Sequence, residues 1–402
     1  MFQLDSYLTL IAATLALLLG GVLVRRIAFL HNNHIPEAVV GGFVVAVLLL
    51  LLNKITGISI GFDSSLQSLL MIVFFTSIGL SADFSRLIQG GKPLIVFIIA
   101  VSVLIIVQNI VGMSLAMLLG QDPFYGLIAG SITLSGGHGN GAAWGAVLSE
   151  KYGITSAVEL AMACATFGLV LGGFIGGPVA RHLLKKIKKE RNETPYEIKE
   201  TFEEPNIKRQ IHSSSIIETV GMLAVSISLG SYLDVITKET IFHMPTFVWC
   251  LFSGVVLRNI ITHIFHHDVY DQTIDVLGNV ALSFFLAMAL MSLQLGDLTS
   301  LALPILFIIA VQTIVMILFA IFITFKLMGK DYDAVVMSAG HCGFGLGATP
   351  TAIANMQVIT KAFGPSHKAF LIVPMVGAFF VDLANSTIIK VFIEIAARIT
   401  GV

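Results

Sequence analysis

The chain has 402 residues, enough for two or three soluble domains, yet it carries only 23 basic and 24 acidic residues, 12% charged against roughly 25% in ordinary soluble proteins. Hydrophobic residues make up 56%, the mean hydropathy is +0.92 and the net charge is −1, so a soluble fold would expose large apolar patches to water. That excludes a soluble globular protein, and the near-zero charge without an extended basic patch excludes a disordered, collagenous or nucleic-acid-binding one; what remains is an all-α polytopic membrane protein.

A transmembrane helix needs about 20 mainly apolar residues. The first such stretch, 8–24, follows a start that lacks a basic n-region and contains Asp5, so a retained helix is expected, not a cleaved signal peptide. Further spans are predicted at 38–52, 66–80, 93–119 and 158–179. A charged segment, 181–209, holds nine basic and six acidic residues, and after it come spans at 214–233, 245–261, 274–293, 301–325 and 369–392. That makes about ten transmembrane helices. Two semi-apolar stretches, 124–148 and 334–359, are too rich in Gly, Ser, Thr and Asn to be simple spans, and they read as re-entrant hairpins. The expected organisation is an N-terminal membrane repeat at 1–181, a charged linker at 182–212 and a C-terminal membrane repeat at 213–402. Placing the linker in the cytoplasm puts eighteen Lys and Arg inside and five outside, with both termini outside. Cys164, Cys250 and Cys342 lie far apart and odd in number, so neither a disulfide framework nor a zinc site is expected.

The two halves repeat each other. Phe74-Phe75 returns as Phe284-Phe285, and Phe97-Ile98-Ile99-Ala100-Val101 returns as the run from Phe307 to Val311; Leu118, Gly120 and Asp122 answer to Leu327, Gly329 and Asp331. Apolar helices resemble one another by composition, but these three landmarks and the glycine-rich stretches that follow them, Ser135 to Gly141 and Gly340 to Gly347, come in order at similar spacing and favour a true duplication. Five spans per copy is an odd number, so the two five-helix repeats are expected to be inverted, each with its own hairpin.

Backbone that leaves the helix at membrane depth survives only where protein or a watery cavity satisfies it. The runs Ser135, Gly136, Gly137, His138, Gly139, Asn140, Gly141 and Gly340 to Gly347 are therefore candidate hairpin tips lining a cavity. Helix N-termini there suit an anionic group, and carbonyls at helix ends suit a cation such as sodium. Candidate substrate contacts are Ser135 to Gly141, Gly343, Gly345, Gly347 and Thr349. Asp382, an ionisable residue inside the last span, is a candidate for a cation or a substrate ammonium, with a structural hydrogen bond as the alternative. The sodium candidates are Asp382, Asn385, Ser135, Thr351 and Asn355. Gly168, Gly172 and Gly176, at four-residue spacing, read as helix packing. Gln108, Asn109 and Gln312 read as interhelical glue, Arg258 as snorkelling to the cytoplasmic interface, and His138 and His341 as neutral hydrogen-bonding groups with proton relay as the alternative. No catalytic motif or nucleotide-binding loop is present in the sequence, so no enzymatic activity and no cofactor are expected, and a sodium or proton gradient is the expected energy source.

At these residues the chain resembles the glutamate:sodium symporter family. The resemblance is strongest at Ser131 to Trp144, Ala161 to Arg181 and Ala339 to Met356, and it includes Gly364-Pro365-Ser366-His367 and the run from Val373 to Phe380. Asn140 departs from it, where threonine is expected; both offer a side-chain oxygen. The resemblance implies sodium-coupled uptake of L-glutamate across a bacterial inner membrane, a homodimer in the lipid bilayer, and an elevator motion of a transport domain against a scaffold. A carrier of citrate, malate or another dicarboxylate, coupled to protons or sodium, is the alternative, and a channel is a more distant one.

Overall fold

The computed structural model of the chain describes residues 2–187, 211–240, 243–292 and 301–401, which are almost wholly helical; most of the linker expected at 182–212, and the end of the span expected at 274–293, lie outside the described residues. A two-residue parallel pairing joins β1 (Phe2–Gln3) to β2 (Ile60–Gly61). The first half contains α1 (Ser6–Arg26), α2 (Ala28–Asn32), α3 (Glu37–Thr56), α4 (Ser64–Ser81), α5 (Ser85–Leu118), α6 (Pro123–Leu127), α7 (Gly137–Tyr152) and α8 (Ala157–Lys186). The second contains α9 (Ser213–Thr237), α10 (Thr246–His263), α11 (Asp271–Met291), α12 (Ala302–Phe319), α13 (Phe325–Leu327), α14 (Tyr332–Gly345), α15 (Thr349–Phe363), α16 (His367–Met375) and α17 (Val381–Thr400). Single π-helical turns at Ile128–Ile132, Ala320–Thr324 and Val376–Phe380 continue α6, α12 and α16.

Among the described residues nine helices are long and apolar enough to cross a membrane, and α16 with α17 forms a tenth, bent by 44°. Pro374 and the π turn that follows it account for the bend, since proline removes one rung of the hydrogen-bond ladder. Among the described residues, four aspartates at helix ends have a local task. Asp5, Asp63, Asp122 and Asp331 each accept a hydrogen bond from a first-turn N–H, capping α1, α4, α6 and α14. Hydrogen bonds from Ser6 and Ser65 hold the Asp63 carboxyl below the usual carboxylate range. Gly91, with φ 56° and ψ −156°, interrupts α5, so its membrane-length part runs from Gly91 to Leu118.

The helices pack as two groups. α1, α3, α4, α9, α10 and α11 form one, and α5, α8, α12, α17 and the segments 123–152 and 332–363 form the other. Each group draws on both halves of the chain. Close approach depends on small residues: a side chain on Gly79 of α4 would collide with the Leu251 carbonyl of α10. The glycines of α8 serve the same end, because a Cβ on Gly172 would lie 3.0 Å from the Gly343 carbonyl oxygen. Arg258 corrects the expectation of snorkelling. Its side chain is only 4% exposed and pairs with Asp83 at 3.3 Å and with Asp271, and those partners, on other segments, were invisible in its neighbourhood in sequence.

Candidate functional site

Both glycine-rich stretches fold as helix–turn–helix hairpins tied at the base. In the first, Tyr125 donates to the Thr155 carbonyl at 3.2 Å, and the Phe124 and Tyr152 rings stand 5.0 Å apart. In the second, Tyr332 donates to the Gly364 carbonyl and Ser366 donates to Asp333 at 2.7 Å. Ser366 precedes α16, whereas Lys390 of α17 shares a cavity wall with Lys151 at the end of α7, so the two bases lie at opposite ends of the last span. The tips meet between them. A Cβ on Gly137 would lie 3.3 Å from the Gly347 carbonyl oxygen, and the φ of +64° at Gly137 makes glycine the natural residue for this turn.

The broken backbone finds partners on neighbouring helices, as apolar surroundings require. At Gly130 the chain leaves helical geometry; the next N–H, of Ser131, donates to Asn109 Oδ1 at 3.1 Å, and the Ser131 carbonyl accepts from Asn385 Nδ2 at 2.9 Å. Gln108 holds both hairpins at once. Its Oε1 accepts from the Ser135 hydroxyl at 2.6 Å and its Nε2 donates to the Gly345 carbonyl at 2.7 Å, while Gln312 Nε2 donates to its main-chain carbonyl at 2.7 Å. Thr349, at the head of α15, donates to the Gly377 carbonyl at 2.7 Å, so the second tip is anchored to the bend in the last span.

A cavity of about 690 Å³ lies between the two helix groups, walled on one side by the tips and the bend and on the other by α1, α3, α4 and α11. It extends to Glu37, Ser81 and Asp275, where α3 and α11 begin and α4 ends. Ser135, Gly136, Gly137, His138, Gly139, Asn140, Gly347, Thr349 and Asp382 line it. Asn140 Nδ2 donates to the Asp382 carboxylate at 2.6 Å, and a Cβ on Gly136 would fall 2.6 Å from Asn140 Cβ and 2.8 Å from Asn385 Nδ2, so these four residues form one tight cluster. Two side-chain oxygens of the cluster, Asn140 Oδ1 and Asn385 Oδ1, are buried and accept no hydrogen bond. An unpartnered buried carbonyl is costly, and a hard cation is one partner that satisfies it. His138 and Gly139 stand in the first turn of α7, where the main-chain N–H groups lack intrahelical acceptors and suit an anion.

The other candidates are placed elsewhere. Gly343 and Gly345 end α14, where they pack against Ala352 and against Met316 and Leu104 behind the cavity wall, so they present carbonyls to neighbours and not amides to a ligand. Gly141 abuts Met162, Thr133 and Ala161. Thr351 and Asn355 face α8: Asn355 Nδ2 donates to the Gly172 and Ala339 carbonyls at 2.9 and 3.2 Å, and Thr351 lies against Gly173. The structure thus groups Asp382 and Asn385 with Asn140 and separates them from Thr351 and Asn355. His138 hydrogen-bonds Thr166 at 3.0 Å and His341 hydrogen-bonds Thr324 at 2.9 Å. Ser77, Asn279 and Ser283, which also line the cavity, escaped sequence reasoning; polar residues at the same level of α4 and α11 were the available signal.

The family model described as sodium/glutamate symporter matches residues 2–365. The chain belongs to the sodium/glutamate symporter family. It is 58% identical over 393 residues to the sodium/glutamate symporter of Haemophilus influenzae, covering 97% of each chain, and 54% identical over 395 residues to those of Escherichia coli and Shigella flexneri, covering 98% of each. Both hairpin tips converge on the cavity between the two helix groups.

Proposed function

We propose that this chain is a secondary active transporter that carries L-glutamate into a bacterial cell together with sodium. The observation that carries the reading is the cluster at the tips: one carboxylate, Asp382, beside two buried side-chain oxygens without donors, at the wall of a cavity lined by no Lys or Arg among the described residues. In this reading Asp382, Asn140 and Asn385 hold sodium, and the substrate carboxylates meet the first-turn amides of α7, with Thr349 and the bound cation beside them. The named relatives support the choice of glutamate and sodium. The cavity reaches only one end of the bundle, and the path to the other is blocked by an aromatic layer in which Phe75 touches Phe74 and Phe247, with ring centroids 5.0 and 4.6 Å apart, and Trp144 meets Phe247 at 5.3 Å. Closure at one end suits alternating access. We place the open end in the cytoplasm with the linker, and read the second helix group as the part that moves against the first, in a homodimer of the inner membrane. The opposed hairpins and the recurring sequence landmarks favour two inverted repeats.

Purified protein in proteoliposomes, given an inward sodium gradient and no pH gradient, should accumulate labelled L-glutamate, and Asp382→Asn should abolish the accumulation. Uptake that ignores sodium, or that citrate or malate displaces at lower concentration than glutamate, would overturn the reading; normal uptake by Asp382→Asn would remove Asp382 from the ion site.

A further inference from the structure

A second cavity, of about 350 Å³, lies along the same interface beyond the aromatic layer. Three helices line both cavities in succession. On α4, Met71 and Ile72 face the second and Phe74 and Ile78 the first; on α7, Trp144 and Lys151 face the second and Asn140 the first; on α17, Lys390 faces the second and Asp382 the first. The two are therefore consecutive parts of one crevice, interrupted where Phe74, Phe75, Trp144 and Phe247 meet.

Their chemistry differs. The second cavity carries two cations, Lys151 and Lys390. Lys390 pairs with Glu394 at 2.9 Å, whereas Lys151 lies 5.7 Å from the centre of the Tyr152 ring and makes no ion pair among the described residues. Partial burial and the nearby Lys390 ammonium both push Lys151 below the usual lysine range, and a carboxylate placed between the two would relieve their repulsion. Trp144, only 1% exposed, also lines this cavity, and its indole Nε1–H, a group that can only donate, has no acceptor. Asp234, which accepts from Thr246 at 2.7 Å and lies 3.2 Å from His243, and Glu150 add two carboxylates to the same lining. Two cations, one idle donor and two acids match a zwitterion that has a carboxylate to bind and an ammonium to balance.

We propose that this cavity is a docking vestibule for an α-amino acid, in which Lys151 and Lys390 hold a carboxylate and Trp144 Nε1–H donates a hydrogen bond to it. The proposal rests on the transport reading for the direction of flow and on the pocket alone for its chemistry. The chain has two tryptophans, so Trp249→Phe leaves Trp144 as the sole indole emitter. In solubilised full-length protein without sodium, L-glutamate should change Trp144 emission saturably, and the change should persist in Asp382→Asn. Its midpoint should rise roughly tenfold in Lys151→Gln and in Lys390→Gln, the scale of one lost charge-assisted hydrogen bond, and return with Lys151→Arg and Lys390→Arg. No emission change, a change lost in Asp382→Asn, or a midpoint indifferent to both lysines overturns the vestibule. Uptake by the same proteins separates the two readings: sodium-driven uptake with no lysine-dependent titration defeats the vestibule alone, and a lysine-dependent titration without uptake defeats the transport reading alone.

Discussion

Asp382 and Asn140 are 242 positions apart and 2.6 Å from each other. Asp382 was legible beforehand, because an ionisable residue inside a span is costly unless it has work. Its partner was not, since nothing in the sequence says which residue of the first tip faces the last helix. The pair makes a sharp prediction. Asn140→Ala removes both the hydrogen bond to Asp382 and an unsatisfied oxygen, and should raise the sodium concentration for half-maximal uptake roughly tenfold or more, the effect of losing one interaction with a charged group. Asn140→Thr keeps an oxygen at the site and should lie much closer to the parent. The sodium dependence of initial uptake rates measures both, and equal rates in all three proteins would remove Asn140 from the ion site.

The hairpins depend on a residue outside them. Gln108 of α5 links Ser135 of one tip to Gly345 of the other, a single side chain bridging elements more than 200 positions apart. It was read as interhelical glue, and glue is what the structure shows; that both hairpins share it was beyond the sequence. Gln108→Ala leaves the Gly345 carbonyl without this donor and Ser135 without this acceptor in a buried site. Each loss costs about 1–3 kcal/mol, so the variant should unfold at lower temperature than the parent in detergent, while Gln67→Ala, at a position outside this network, should not. An unchanged thermal midpoint for Gln108→Ala would show that the tips do not depend on this bridge. The hairpin positions themselves were visible as breaks in apolar runs, because only backbone with partners can leave a helix there.

Across the whole molecule, the cavity and the second pocket lie on either side of one aromatic layer. Closure of that layer predicts one-sided access. Cys164, Cys250 and Cys342 are all buried, so a cysteine introduced at Ser283, in the large cavity, should react with a membrane-impermeant maleimide from the cytoplasmic side only, and one at Val147, in the second pocket, from the opposite side only. Equal labelling of Ser283→Cys from both sides would show that the layer is not a barrier in the membrane. The same experiment tests the orientation inferred from lysine and arginine placement.

Composition alone determined that this chain is a membrane protein, because apolar surface on this scale has no stable place in water. Length and hydropathy placed the spans, and glycine, serine and asparagine in apolar runs marked the two hairpins. These are local properties, carried by consecutive residues. The division into two packing groups is different in kind, because each group takes helices from both halves of the chain. Only the tertiary structure brought Asn140 and Asn385 to Asp382, turned Thr351 and Asn355 towards α8, and buried Arg258 between two aspartates. Each of those outcomes is a choice of partner across the bundle, settled by which polar atoms can be satisfied once the helices pack, and a linear sequence does not state it.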